Sequence, residues 1–273
     1  MTSGSRTSRP PRTSVWLADR PAPKRKSEQP AGLDREKIIA ATVRRLDAEG
    51  LAKFSMRRLA AELGVTAMSV YWYVDTKDDL LELALDSVHG ELTLPDETPP
   101  DEGERADAAA GGAQRTEGAG GAGAGDWRDQ LRLLAAEYRK LLVTHPWVSR
   151  LVGQYLNCGP RSLGFSNAAQ RVMQRSGLSE EDQIGALSML FQFVYGFGTI
   201  EGSWADRCRL AGLSEDEYSQ QVMEAVQDRP EFEESRQTLK LRGGNIRDLR
   251  QRDFAFALDT VIAGLEAMRG RSR

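Results

Sequence analysis

The run Ser55-Met-Arg-Arg-Leu-Ala-Ala-Glu-Leu-Gly-Val-Thr-Ala-Met-Ser-Val-Tyr-Trp-Tyr-Val74 constrains this chain more than any other segment. Ser55 can cap a short helix that buries Leu59 and Leu63 at i,i+4 spacing. Gly64 then supplies a left-handed turn residue, and Thr66 can cap a second short helix that ends near Tyr73. Two short helices joined by so tight a turn have the layout of a helix-turn-helix. The second helix mixes small polar residues with aromatics, and Tyr71 and Trp72 are too large and too close together for both to be buried. In such a unit the N-terminal residues of the second helix meet base edges in the major groove of double-stranded DNA. The stretch therefore points to a DNA-binding regulator rather than an enzyme.

The flanks extend the pattern. Asp34 can cap a helix in which Ile39, Val43 and Leu46 share a face and which Gly50 ends. Thr76 can cap a further helix, with Asp79 three residues later in the position of a capping box. Leu80, Leu81, Ala84, Leu85 and Val88 give that helix a broad apolar face. Beyond Asp126, Leu131, Leu134, Tyr138, Leu141 and Leu142 mark one helix, which Pro146 ends, and apolar periodicity predicts further helices near 148–156, 161–176, 181–204, 214–227 and 247–268. The last carries the stripe Phe254, Leu258, Val261, Ile262 and Leu265. No strand-like alternation competes, so the expected fold class is all-α. Its N-terminal part is a three-helix DNA-binding domain with a helix-turn-helix, followed by a larger helical regulatory and dimerisation domain.

Two stretches lack any apolar period. Residues 1–32 hold Arg6, Arg9, Arg12, Arg20, Lys24, Arg25 and Lys26 against Asp19 and Glu28, and read as a disordered basic arm. Such an arm either attracts phosphates or solubilises the chain. Residues 94–125 combine prolines, acidic residues and a Gly/Ala run, and read as a flexible linker. The expected domains are thus the arm at 1–32, the DNA-binding domain and connecting helix at 33–93, the linker at 94–125, and the sensing and dimerisation domain at 126–270.

Composition narrows the function classes. The two cysteines, Cys158 and Cys208, and the two histidines, His89 and His145, stand apart from one another, so no metal site, catalytic set or cofactor is expected. The Gly-rich run at 118–125 lacks the Lys-Ser/Thr of a phosphate loop and follows no strand. No secretory signal and no bilayer-spanning segment is read in the sequence, so the expected location is cytoplasmic. Within 34–82, nine Asp/Glu face eight Lys/Arg, so the unit is not strongly basic.

Residues 34–93 resemble the tetracycline-repressor (TetR/AcrR) family of bacterial transcriptional regulators. The resemblance rests on Ile39, Leu46, Gly50, Leu59, Ala60, Leu63, Gly64, Val65, Ser69, Val70, Tyr71, Trp72, Tyr73, Lys77, Leu80 and Leu81. It implies DNA contacts by Ser55 and Arg57, by Thr66, Ala67, Met68 and Ser69 at the start of the recognition helix, by Tyr71, Trp72 and Tyr73, and by Lys77 as a phosphate contact. Apolar side chains there can meet a thymine methyl; alternatively, one of the aromatics is simply core.

The segment from Gly177 to Gly202, with His145-Pro-Trp147 before it, resembles the C-terminal domain of the tetracycline-repressor branch. That implies a homodimer through about 181–204 and 247–268. It also implies a pocket for a small, mostly apolar effector, with His145, Trp147, Tyr155, Phe191, Phe193, Tyr195 and Phe197 as candidate walls. The expected function is a repressor that binds a palindromic operator as a dimer and is released by its effector. A transcriptional activator of the same family, and a DNA-binding protein without a ligand, are the alternatives.

Overall fold

The computed structural model describes residues 14–17, 33–95, 126–234 and 244–269. Except for 14–17 and 94–95, the arm and linker expected at 1–32 and 94–125 lie outside the described residues. Ten α-helices and two short 3-10 turns make up the described residues, with no strand among them, so the fold is all-α. In chain order the helices are α1 Arg35–Glu49, α2 Met56–Glu62, α3 Ala67–Val70, α4 Lys77–His89, α5 Trp127–Thr144, α6 Val148–Val152, α7 Pro160–Gln174, α8 Glu180–Ala211, α9 Glu215–Val226 and α10 Ile246–Arg269. The chain divides into two compact units. One holds residues up to Leu92, with Leu141–Phe165 and Glu201–Ser203; the other holds Thr93–Lys140, Ser166–Ile200 and Trp204 onward.

In the first unit, α1 begins where Asp34 accepts the Lys37 N–H at 2.7 Å and ends at Gly50, whose φ of 75° needs no Cβ. Its buried face is Ile38, Ala41, Thr42 and Leu46, while Ile39 and Val43 are half-buried. The apolar pattern placed the face one position off because a polar residue belongs to it. Thr42 satisfies its hydroxyl on the Ile38 carbonyl at 2.8 Å and so sits in the core.

Helix α4 is enclosed on almost every side, and of its residues from Asp79 to His89 only Ser87 is not buried. Both halves of the expected capping box form: Thr76 Oγ1 accepts the Asp79 N–H at 3.0 Å, and Asp79 accepts the Thr76 N–H at 3.2 Å. Its Asp86 carboxylate is also buried and accepts the N–H groups of Arg161 at 3.0 Å and Ser162 at 2.9 Å, which caps the first turn of α7 from outside. Gly159 makes that approach possible, since a Cβ there would lie 2.2 Å from the Asp86 carboxylate. Gly202 plays a similar part, because its Cβ would stand 2.5 Å from the Leu142 carbonyl.

In the second unit, Ser179 caps α8 by accepting the Asp182 N–H, and Gly212 at φ 71° ends it. Helix α8 thus runs past the expected end near 204, because no breaker intervenes before Gly212. One 18-residue window of α8 reaches a mean hydropathy of 1.2, so by length and composition this helix is apolar enough to cross a membrane. Gln192 and the glycines dilute the apolar run, and a core helix of this length passes the same test. On α10, Phe254, Leu258, Ile262 and Leu265 form the buried stripe. Arg132 of α5 pairs with Asp259 of α10 at 2.9 Å, and Arg128 pairs with Glu266.

Asp86→Ala should lower the urea midpoint without changing the m-value, with a loss of about 1–3 kcal/mol for two orphaned N–H groups. An unchanged midpoint would show that water replaces the carboxylate.

Candidate nucleic-acid interface

Helix α2 starts where Ser55 Oγ accepts the Arg58 N–H at 3.3 Å. It ends at Leu63, and Gly64 turns the chain at φ 67°. Thr66 then caps α3 by accepting the Ser69 N–H at 3.2 Å, and its Oγ1 lies 3.0 Å from Ser69 Oγ. Helix α3 is shorter than expected because its end tightens to i→i+3 bonds: Trp72 N–H reaches Ser69 O at 3.4 Å and Tyr73 N–H reaches Val70 O at 3.0 Å. Val70 and Val74 pin this segment to the core at 0% and 5% exposure, and Leu59 of α2 is fully buried.

What remains outside is a compact surface. Met68 is 69% exposed, and Tyr71 and Trp72 are each 40% exposed. Both aromatics therefore lie at the surface, neither as core. Ala67 and Ser69 are half-buried beside them, and Arg57 is exposed. Tyr73 differs, since its hydroxyl donates to the Leu33 carbonyl at 2.7 Å and fastens the chain just before α1. Lys77 Nζ donates to the Phe54 carbonyl at 3.2 Å and sits 5.5 Å from the Phe54 ring centre, tying the start of α4 to the residue before Ser55.

Most nearby cations are paired within the unit. Arg45 bridges Glu49 at 2.7 Å and Glu62 at 3.0 Å, Arg44 reaches Glu62 at 3.2 Å, and Arg58 reaches Glu49 at 3.0 Å. These pairs staple α1 to α2 and leave Arg57 pointing outward with no such partner among the described residues.

Two family models match this architecture: that of bacterial regulatory proteins of the tetR family over residues 38–84, and that of the tetracyclin repressor-like C-terminal domain over residues 119–269. The chain belongs to the tetR family of bacterial regulatory proteins. Its C-terminal domain is of the tetracycline-repressor type, and the family's members are DNA-binding transcription regulators. An HTH-type transcriptional regulator of Saccharopolyspora erythraea is 32% identical over 70% of this chain and 68% of its own. The HTH-type transcriptional repressor DrrR1 of Streptomyces coeruleorubidus is 30% identical over 68% of this chain and 60% of its own. Among solved structures, apo ActR from Streptomyces coelicolor covers 89% of this chain and 100% of its own at a TM-score of 0.64 and 23% identity. The same protein in complex with actinorhodin gives 0.63.

The seven candidate effector residues fall into two places. Phe191, Phe193, Tyr195 and Phe197 of α8 lie in the second unit and are half-buried. Phe191 stacks on Tyr195 with ring centres 6.2 Å apart and meets buried Tyr138 of α5 at 5.1 Å. Phe193 and Phe197 meet Phe254 of α10 at 5.7 and 5.6 Å, and the Arg139 guanidinium covers that ring at 4.5 Å. His145, Trp147 and Tyr155 lie in the first unit instead.

His145 is buried, with Nδ1 2.7 Å from Asp47 of α1 and Nε2 3.1 Å from Glu91, just after α4. Trp147 Nε1 donates to the same Asp47 oxygen at 2.7 Å. Tyr155 donates its hydroxyl to Asp78 at 3.2 Å, and burial, with Asp78 second, pushes its pKa up. Sequence reasoning missed these acceptors. The available signal was acidic residues on otherwise apolar helix faces, such as Asp47 beside Leu46, and Glu82 and Asp86 within α4.

Burial alone would discharge His145. The hydrogen bonds to Asp47 and Glu91 outweigh it, and the pKa is raised above its ordinary value. A pKa raised by folding gives stability that is complete below the unfolded value of about 6.5 and fades as pH climbs through the folded value. Thermal melts of wild type and His145→Gln should therefore differ most at about pH 6, by about 1–3 kcal/mol, and converge on the alkaline side. A gap independent of pH would mean that the ring carries no charge.

Proposed function

We propose that this protein is a ligand-released repressor that binds a palindromic operator as a homodimer. The observation that carries the reading is the exposed set of Met68, Tyr71 and Trp72 around Ser69, held rigid by buried Val70 and Val74. An apolar and aromatic surface on a short helix is a poor design for a solvated face and suits insertion into a groove. Ser69 and Tyr71 read bases or backbone. Ala67 and Met68 contact thymine methyls, and Trp72 packs at the groove edge. Ser55, Arg57, Thr66 and Lys77 approach phosphates, while Tyr73 acts through its hold on Leu33.

Residues 33–93 thus supply the DNA contact, and 126–270 supply sensing and dimerisation. Two copies of α3 must stand about 34 Å apart to meet successive major grooves. The dimer forms through 181–204 and 247–268. In support, Ile184 and Ile200 of α8 are 73% and 74% exposed, and Phe256 of α10 is 77% exposed, on helices whose other faces are already packed. Apolar area of this kind suits a second copy of the chain, which removes it from water.

The effector is small and mostly apolar and enters among Phe191, Phe193, Tyr195 and Phe197. That ActR is solved in complex with actinorhodin supports a small-molecule effector, though not its place among these residues. Binding shifts α4 and spoils the groove spacing, so DNA affinity falls.

Gel shifts on the gene's own upstream region test the interface. Ser69→Ala and Tyr71→Ala should each weaken operator binding by about 1–3 kcal/mol, whereas Lys77→Ala should flatten the salt dependence on every sequence tried. Wild-type affinity in the Ser69 and Tyr71 variants removes them from the interface. Phe256→Asp should convert the dimer to monomer in sedimentation velocity at micromolar concentration. A dimer that persists places the interface elsewhere.

A further inference from the structure

Within the sequence of the basic arm, residues 14–17 form a tight turn. Leu17 N–H reaches the Ser14 carbonyl at 3.3 Å, and Trp16 N–H reaches Ser14 Oγ at 3.2 Å. The turn is seated on α4. Ser14 is 5% exposed and donates its hydroxyl to Glu82 Oε2 at 3.0 Å, and the Val15 N–H donates to the same oxygen at 2.6 Å. Trp16 closes a cleft whose other walls include Leu85, Asp86, Tyr155 and Ser162. Ser162 Oγ, itself buried, finds no hydrogen-bond partner in the cleft wall. Ser14 Oγ also lies 3.7 Å from Cys158 Sγ.

Glu82 is 4% exposed, and both donors it meets among the described residues come from this turn. A buried carboxylate without donors is costly. Departure of the turn strips Glu82 of both donors and leaves α4 without this contact, and any shift of α4 that carries Glu82 away loosens the turn. The two events are linked, and the linkage is reciprocal.

We infer that Ser14–Leu17 is an intrachain latch that docks in the α4 cleft through Glu82 and holds α4 in its operator-binding position. The effector's displacement of α4 then releases it. This rests on the role given to α4 under Proposed function.

The latch carries its own reporter. Cys158 is half-buried beside Ser14, whereas Cys208 is 2% exposed and serves as the internal control. Full-length protein is pulsed with N-ethylmaleimide and the adducts are located by mass spectrometry. Val15→Pro removes the N–H but suits the second position of a turn, and it changes no charge. It should speed Cys158 labelling about ten-fold, leave Cys208 unlabelled, and weaken operator binding several-fold at an unchanged salt slope. Ser14→Ala should act in the same direction. Glu82→Gln combined with Val15→Pro should be less than additive in thermal stability, because both changes break one contact.

Unchanged Cys158 labelling, or strict additivity with Glu82→Gln, overturns the latch. Faster labelling with wild-type operator affinity overturns its control of α4. Should wild type bind no operator at all, the repressor reading fails, while labelling and the double-mutant cycle still decide whether the turn is docked.

Discussion

The burial of α4 with its carboxylates is the constraint on which the first unit depends. Asp79, Glu82 and Asp86 are 6%, 4% and 4% exposed, and each meets fixed donors: a capping box, the turn at Ser14, and the first turn of α7. A hydrophobic helix can slide along its neighbours in small steps. A helix whose acids are matched to particular N–H and O–H groups cannot, because partial displacement strands a charge before new partners are reached. Such a helix has few discrete positions, which is the property a switching element requires. His89 behaves differently in the same helix. Burial lowers its pKa, and its ring, bonded to the Leu85 carbonyl, adds no charge that must be matched.

Much of the fold was legible because the local signals agree with one another. Asp34, Ser55, Thr66 and Thr76 cap the helices they precede, and Gly50 and Gly64 take up left-handed backbone at the predicted breaks. Periodicity served well on α10, where the buried stripe is apolar throughout. It failed where polar residues occupy the core. Thr42 shifted the assigned face of α1, and the roles of Asp47, Glu82 and Asp86 depend on donors 60 or more residues away in sequence. Long-range hydrogen bonds leave no period, so only the oddity of an acid on an apolar face announces them. The same holds for His145 and Trp147, read from the sequence as candidate pocket walls and found bonded to Asp47.

The electrostatics of the surface around α2 and α3 follow from internal pairing of the same kind. The eight basic residues between 34 and 82, already outnumbered by nine acids, do not form a diffuse cationic patch. Arg44, Arg45 and Arg58 are instead tied to Glu49 and Glu62, where they hold α1 against α2. Lys77 bonds the Phe54 carbonyl. Among the described residues, Arg57 is the exposed cation beside α3 that these pairs leave uncommitted. In the proposed interface, discrimination then falls to the geometry of Ser69, Tyr71 and Met68, and to how firmly buried Val70 and Val74 hold them.

Helix α8 faces a comparable demand in the second unit. It is apolar on more of its circumference than one packing layer can cover: Phe191, Phe193 and Phe197 meet aromatics of α5 and α10, while Ile184 and Ile200 face outward. A helix apolar all round is stable only when both sides are buried. The inner side holds rings at centre distances of 5.0 to 6.2 Å, tilted or stacked pairs that side-chain rotation can rearrange. A rigid outer contact would keep the backbone of α8 fixed while those rings move.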